Sequence, residues 1–289
     1  MSGFESAVSV LPQDIRRMAK SLAPDVRSGT REFRLRLGRS PTVLTAEGER
    51  LLDSRRVISA GDLNRVLEIA TGASPYAAAA AMEKGYVTAP GGVRIGLCGQ
   101  RNKTDRGSWA WAGLTSAAVR VPREVKGCAA ALCGGLPVST LIAGPPGMGK
   151  TTLLRDMVRI YSDAGYRVGL CDERGELAAA DGRGAGFDVG ASTDVLTGLN
   201  KSAAAFQLLR TMNPQIIAMD EVTEEEDAAG CMAAARCGVL LLATAHADGG
   251  AAGSDNPAVL RLLRSGVFHR IVSTRFSGGR WVCGSKCLS

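Results

Sequence analysis

Aromatic residues make up only 4% of this 289-residue chain, and histidine occurs just twice. A surface that stacks single-stranded bases needs several aromatic platforms, so that mode of nucleic-acid binding is poorly supplied. No apolar run approaches the ~18–20 residues of a membrane-spanning helix. The opening Met-Ser-Gly-Phe-Glu has neither the basic nor the apolar segment of an export signal, so a soluble or peripheral cytoplasmic protein is expected. The eight cysteines lack the paired spacing of a zinc site. Cys283 and Cys287 form a single C-x3-C with no second half and no nearby histidine, and Cys98, Cys128, Cys133, Cys171, Cys231 and Cys237 are scattered. Buried thiols in a reducing compartment are expected of them. Neither an L-S-G-G-Q-like stretch nor an R-x-x-x-H motif is present. The first absence disfavours a transporter cassette, and the second a single-strand-binding appendage.

What is present is a charge of +7, a 45% hydrophobic fraction and one strong motif. The charge suits phosphate-bearing partners without choosing among nucleotide, nucleic acid and anionic membrane. The motif is Gly144-Pro145-Pro146-Gly147-Met148-Gly149-Lys150-Thr151, followed by Thr152. It fits G-x-x-x-x-G-K-[ST], the phosphate-binding P-loop. It follows the apolar run Leu141-Ile142-Ala143 and precedes a helical pattern from Leu153. The glycines let backbone N–H groups converge on an anion, and the helix N-terminus adds partial positive charge. Lys150 is expected on the β- and γ-phosphates of ATP, and the Thr151 hydroxyl on Mg²⁺.

The rest of the chain divides in character near residue 125. Before it, the spacing predicts a helix over 12–24 and strands at 33–37 and 42–45. A helix ending at Gly72 and another from Ser74-Pro75 to Gly85 follow. A hairpin is predicted from Tyr86–Thr88 and Val93–Leu97. Residues 102–113, with Trp109 and Trp111, read as a polar loop, and Ala118–Val121 as a strand. This is a small α+β domain, residues 1–125. After it, strands at 139–143, 168–172, 216–220 and 239–245 alternate with helices near 150–163, 201–212 and 224–236. Such alternation predicts an α/β domain, residues 126–289, with a mostly parallel sheet. Residues 178–199 read as a surface loop, and 268–274 with 281–283 as a closing hairpin through Gly278-Gly279.

Three further strand ends carry chemistry. Ile216–Met219 ends in Asp220-Glu221, the Walker B form. Asp220 is expected on the metal's water shell, and Glu221 as general base toward the attacking water. Val168–Cys171 ends in Asp172-Glu173, and carboxylates at that end of a parallel sheet should face the phosphates or metal. Leu242–Ala245 ends in His246, placed to sense the γ-phosphate or touch the Walker B acid. His269 is read as incidental. After Thr152 no arginine stands out as a transition-state cation within the chain. Arg94, Arg101 and Arg120 of the first domain are candidates to act on a neighbouring subunit.

P-loop, acidic box, Walker B with glutamate and His box, in that order, resemble the type II/IV secretion ATPase family. Leu35–Pro41, Gly48, the Asp62–Gly72 helix, and Val93-Arg94-Ile95 leading to Ala118–Pro122 resemble its N-terminal domain, the part that carries the family's arginines. Asp172-Glu173-Arg174-Gly175-Glu176, Gly96–Gly99 and Met212–Gln215 with Asp220-Glu221-Val222 resemble its sporulation branch, which serves the channel between mother cell and forespore. The resemblance spans about residues 15–285. It implies a PAS-like N-terminal domain and a RecA-like ATPase domain. It also implies a homo-hexamer with sites between subunits, working with membrane-embedded channel or secretion subunits on the cytoplasmic, mother-cell side. Glu173 takes the acidic-box role, Glu221 that of base and His246 that of the His box, with Arg94 and Arg120 as catalytic arginines. The tetracysteine zinc insert of some members is absent, so Mg²⁺ is the only metal implied. A P-loop ATPase that binds single-stranded nucleic acid is the less favoured alternative, and a non-hydrolysing nucleotide-binding scaffold is a third reading.

Overall fold

A computed structural model of the chain describes residues 2–103, 109–180, 186–247, 256–277 and 280–287. The chain divides into two compact units. One is Met1–Arg123 with Ala179–Gly186, and the other is Glu124–Ala178 with Phe187–Ser289.

The first unit opens with three short helices, α1 (Gly3–Ser9), α2 (Gln13–Lys20) and α3 (Pro24–Gly29). The continuous helix expected over 12–24 is interrupted, because Pro24 begins a new helix at its first turn. Strands β1 (Glu32–Arg36), β2 (Thr42–Thr45) and β3 (Gly48–Leu51) follow, then α4 (Ala60–Ala70) and α5 (Pro75–Lys84). A reciprocal cap between Ser59 and Asp62 starts α4. Strands β4 (Tyr86–Ala89), β5 (Val93–Lys103) and β6 (Trp109–Arg120) complete an antiparallel sheet of order β3-β2-β1-β6-β5-β4. Trp109 and Trp111 therefore lie on a strand, where the sequence suggests a loop. Phe33 pairs with Val119, and Val119 with Ile95. All three are fully buried, together with Ile15, Leu63 and Val66 of the helices. The alternating arginines Arg34 and Arg36 fall on the other face of β1, as a period of two requires.

The second unit runs β7 (Thr140–Gly144), α6 (Lys150–Asp163), β8 (Val168–Asp172), β9 (Thr193–Thr197), α7 (Lys201–Thr211) and β10 (Ile216–Met219). It continues through α8 (Glu225–Arg236), β11 (Leu240–His246), α9 (Pro257–Arg264), β12 (Arg270–Ser277) and β13 (Arg280–Cys287). The sheet order is β13-β12-β7-β11-β10-β8-β9, parallel throughout except for the β12–β13 hairpin. The turn expected at Gly278-Gly279 lies outside the described residues. Strand β9 falls where the sequence suggests a loop. It is an edge strand whose residues are only half buried, so its apolar signal is weak. Leu141, Ala143, Ile217, Met219, Leu241 and Ala243 form one apolar layer with α7, α8 and α9. Their neighbours Ile142, Ala218 and Leu242 are also buried, so both faces of the sheet are covered. Burying each such large side chain contributes about 1.5–3 kcal/mol. The parallel order places the C-terminal ends of β7, β11 and β10 side by side, and that edge carries the polar residues.

Of the cysteines, only Cys171 and Cys231 are buried, and burial pushes both thiols up to about 12. Cys133 is partly buried and the other five are exposed, against the expectation of general burial. Cys237, Cys283 and Cys287 sit at a helix end or on the outermost strand.

Candidate active site

The loop from β7 to α6 folds as its glycines dictate. A Cβ on Gly144 would lie 2.4 Å from Thr274 Oγ1 and 2.6 Å from the Thr274 carbonyl oxygen, so only glycine fits there. Gly147 and Gly149 have φ of 72° and 76°, the left-handed region that favours glycine, and Gly149 caps α6. Lys150, 6% exposed, folds back over the loop and donates to the carbonyls of Gly144 and Pro145, both at 2.8 Å. Burial pushes its ammonium below an ordinary lysine, while the charges of Asp220 and Glu221 oppose that shift.

Lys150 Nζ also lies 3.1 Å from His246 Nδ1. An ammonium can only donate, so Nδ1 accepts. The ring proton then sits on Nε2, which donates to Glu221 Oε1 at 2.8 Å. His246 thus bridges the P-loop lysine and the Walker B acid. Thr151 Oγ1 donates to Asp220 Oδ2 at 2.8 Å. The other Asp220 oxygen accepts from the Thr244 hydroxyl of β11. Thr244 Oγ1 in turn accepts the Glu221 amide at 2.7 Å. Glu221 has φ of 57°, rare for a non-glycine residue. Its amide bond to the Thr244 side chain, and that of Val222 to the Thr244 carbonyl, hold this turn. The turn directs the Glu221 carboxylate to His246 on one oxygen and to Arg174 Nη1, at 2.9 Å, on the other.

The acidic box behaves differently from its reading. Asp172, 3% exposed, does not offer its carboxylate to a ligand. It accepts the backbone amides of Glu176, Leu177 and Ala178 at 2.8–3.1 Å and so pins the loop after β8. Arg155 of α6 holds the same loop from the other side, donating to the carbonyls of Leu177 (2.6 Å) and Glu176 (2.8 Å). Glu173 is bound by Lys201 at 3.1 Å, and Lys201 also reaches Asp227, 3.3 Å away at the start of α8. Burial lowers the Lys201 pKa, but the Glu173 bond and the Asp227 charge outweigh it, and the ammonium titrates above an ordinary lysine.

A cavity of about 310 Å³ is lined by Pro146 through Thr152 and by Asp220, Glu221, Thr244 and His246. A more apolar one, about 370 Å³, flanks the loop between Met148, Thr152, Cys128 and Cys283. The structure therefore brings together the P-loop residues, Asp220, Glu221 and His246, and Glu173 lines a small recess with Glu221 and Lys201. Arg94 and Arg120 stand on β5 and β6 of the first unit. Arg94 lies 4.5 Å from the Tyr86 ring centre, and Arg120 pairs with Glu32 at 3.6 Å. His269 is exposed, and its amide bonds the carbonyl of Ser139, just before the start of β7 and at the far end of that strand from the loop. Motif reading misses Thr244, Lys201, Arg155 and Arg174. Thr244 carries one legible signal, a hydroxyl inside an otherwise apolar strand. Arg174 corrects the expectation that no cation within the chain stands near the base.

A family profile described as "Sporulation stage III, protein AA" matches residues 4–280. The chain is 29% identical over 270 residues to "Stage III sporulation protein AA" of Bacillus subtilis (strain 168), covering 90% of this chain and 87% of that one. Among solved structures it resembles the ATPase DotB of Legionella pneumophila (TM-score 0.60, 15% identity, 95% of this chain and 80% of that one). It also resembles the pilus retraction motor PilT with bound ADP (TM-score 0.62, 19% identity, 90% and 79%). At these identities the two structures speak to fold, which this chain shares with that ATPase and that pilus retraction motor.

Proposed function

The chain belongs to the Sporulation stage III, protein AA family, and from that premise we propose that it is an ATP-hydrolysing motor of the secretion-ATPase kind. The observation that carries this reading is the hydrogen-bonded cluster Lys150–His246–Glu221 beside Thr151–Asp220–Thr244, gathered at the ends of three adjacent parallel strands. Lys150 and the loop amides of Gly147 through Thr152 bind the triphosphate. Glu221 takes the proton of the attacking water, and His246 holds Glu221 in place. Glu173 stands behind them, fixed by Lys201. The apolar cavity at Met148, Cys128 and Cys283 takes the nucleoside.

Thr151 and Asp220 offer one hydroxyl and one carboxylate, 2.8 Å apart. Among the described residues no cluster of three or more His, Cys, Asp and Glu side chains is placed to hold an ion. A sparse, hard-oxygen set of this kind fits Mg²⁺, which keeps its waters and shares substrate phosphates. Bound there, Mg²⁺ would neutralise charge on the phosphate oxygens.

Arg94 and Arg120 act in trans on a neighbour's nucleotide, which makes a homo-hexameric ring the working form. The sporulation name of the Bacillus relative supports a role in sporulation, and we read that role as a motor for the channel between mother cell and forespore, at the cytoplasmic face on the mother-cell side, docked on membrane-embedded subunits. No described helix is long and apolar enough to cross a membrane, which suits a peripheral attachment. Lys150→Ala should abolish nucleotide binding or turnover, and Glu221→Gln should bind ATP and stall. Unchanged hydrolysis in Glu221→Gln would remove the assigned base. Stimulation by single-stranded DNA that vanishes at high salt would favour a nucleic-acid-bound ATPase instead.

A further inference from the structure

Glu221 faces two cavities. On one side lies the P-loop space with Lys150 and Thr151, and on the other a small polar recess of about 20 Å³ shared with Arg174, Glu173 and Lys201. The recess has room for about one water molecule. Arg174 enters from that side and bonds Glu221 Oε2 at 2.9 Å. A guanidinium on a carboxylate is a strong, charge-assisted contact, and here it occupies the Glu221 oxygen that faces the recess. So long as it persists, both Glu221 oxygens are engaged, one by His246 and one by Arg174.

The two groups on Glu221 are anchored differently. His246 is held from behind by Lys150. Arg174 has a 59% exposed side chain, and Glu221 is its partner in the structure. Its backbone is firm, because Asp172 binds the amides and Arg155 the carbonyls just beyond it, and Gly175 (φ 68°) turns the chain between. A rigid base under an exposed, long side chain makes a pivot.

We propose that Arg174 is a catalytic cation supplied within the chain, exchanging Glu221 for the γ-phosphoryl oxygens of bound ATP. This rests on the ATPase reading above. One movement would then do two things: it frees Glu221 and delivers positive charge to the transferring group. The water oxygen bonds to the γ-phosphorus, and its proton passes to Glu221. The bond from that phosphorus to the bridging oxygen breaks, and ADP leaves with the electron pair. Arginines that meet this charge are worth about 10³–10⁵ in rate.

The test uses the full chain with Arg174→Ala and Arg174→Lys, both at an exposed position, with melting temperature as the folding check. Two quantities are read: kcat with KM, and affinity for ADP with and without aluminium fluoride, which mimics the transferring phosphoryl. Expected for Arg174→Ala is a kcat fall of about a hundredfold or more, an unchanged ADP affinity, and loss of the extra affinity that aluminium fluoride confers. Arg174→Lys should recover part of both. Unchanged or faster turnover in Arg174→Ala, with the aluminium fluoride effect intact, would make Arg174 only a latch on Glu221 and overturn the proposal. Equal loss of ADP and of its aluminium fluoride complex would overturn it too, as a binding or structural effect. If the unaltered chain neither binds ADP nor hydrolyses ATP, the ATPase reading fails first and this inference with it.

Discussion

Thr244 is the residue on which the Walker B geometry turns. Its hydroxyl donates to Asp220 and accepts the amide of Glu221, so one oxygen fixes both Walker B carboxylates together. Valine has the same shape without the hydroxyl. Thr244→Val should leave the Glu221 amide and an Asp220 oxygen unpaired at a fully buried position. The loss of such partners costs about 1–3 kcal/mol. Denaturant unfolding should report that cost, and the ATPase rate should fall about tenfold or more as Glu221 leaves its left-handed turn. Thr244→Ser keeps the oxygen and should recover most of both. If Thr244→Val turned over normally, the hydroxyl would have no part in placing the base.

At the scale of elements, the same logic joins three strands of the first unit. Glu49 on β3 accepts from Arg36 on β1 and from Thr42 on β2. These bonds hold the Glu49 carboxyl at about 2, against an ordinary value of 4.5. A carboxylate with a depressed folded pKa stabilises the fold fully above its unfolded pKa, and that stability is lost as pH falls from about 4.5 toward about 2. The side chain is 36% exposed, so solvent screening limits the effect to about 0.5–1 kcal/mol. Glu49→Gln should be less stable than the parent by that amount at pH 7, with the difference closing only as pH falls to about 2. An equal difference at both pH values would assign it to packing. Legibility in the sequence follows burial in the same way. Ile216–Met219 and Leu240–Ala245 are apolar almost without a break because both faces are covered, so those strands and the polar residues at their ends can be read directly. Strand β9 at the sheet edge cannot, because half-exposed strands keep a mixed composition. The contacts of Arg174 and Lys201 are beyond reach for another reason. They depend on a left-handed backbone at Glu221 and on strand order, neither of which has a local residue pattern.

At the scale of the whole molecule, the question is whether one chain holds a complete site. Within the second unit, Lys150, Thr151, Asp220, Glu221 and His246 are joined, and Arg174 adds a cation. Arg94 and Arg120 belong to the first unit and are engaged there with Tyr86 and Glu32. If they complete a neighbour's site, a ring of head-to-tail contacts is required, because each subunit must give arginines on one side and receive them on the other. Two inactive variants can then repair each other. Glu221→Gln keeps the arginines and lacks the base, while the double variant Arg94→Ala, Arg120→Ala keeps the base and lacks the arginines. In an equal mixture, random assembly pairs an intact base with intact arginines at about a quarter of the interfaces. Activity per chain should therefore rise from near zero in either variant alone to about a quarter of the parent, and it should depend on protein concentration through assembly. Wild-type-like turnover of the double arginine variant, independent of concentration, would mean that Arg174 and Lys150 supply the needed charge within a single chain. A mixture no more active than its parts, in rings shown by mass to have exchanged subunits, would place the role of Arg94 and Arg120 inside their own unit.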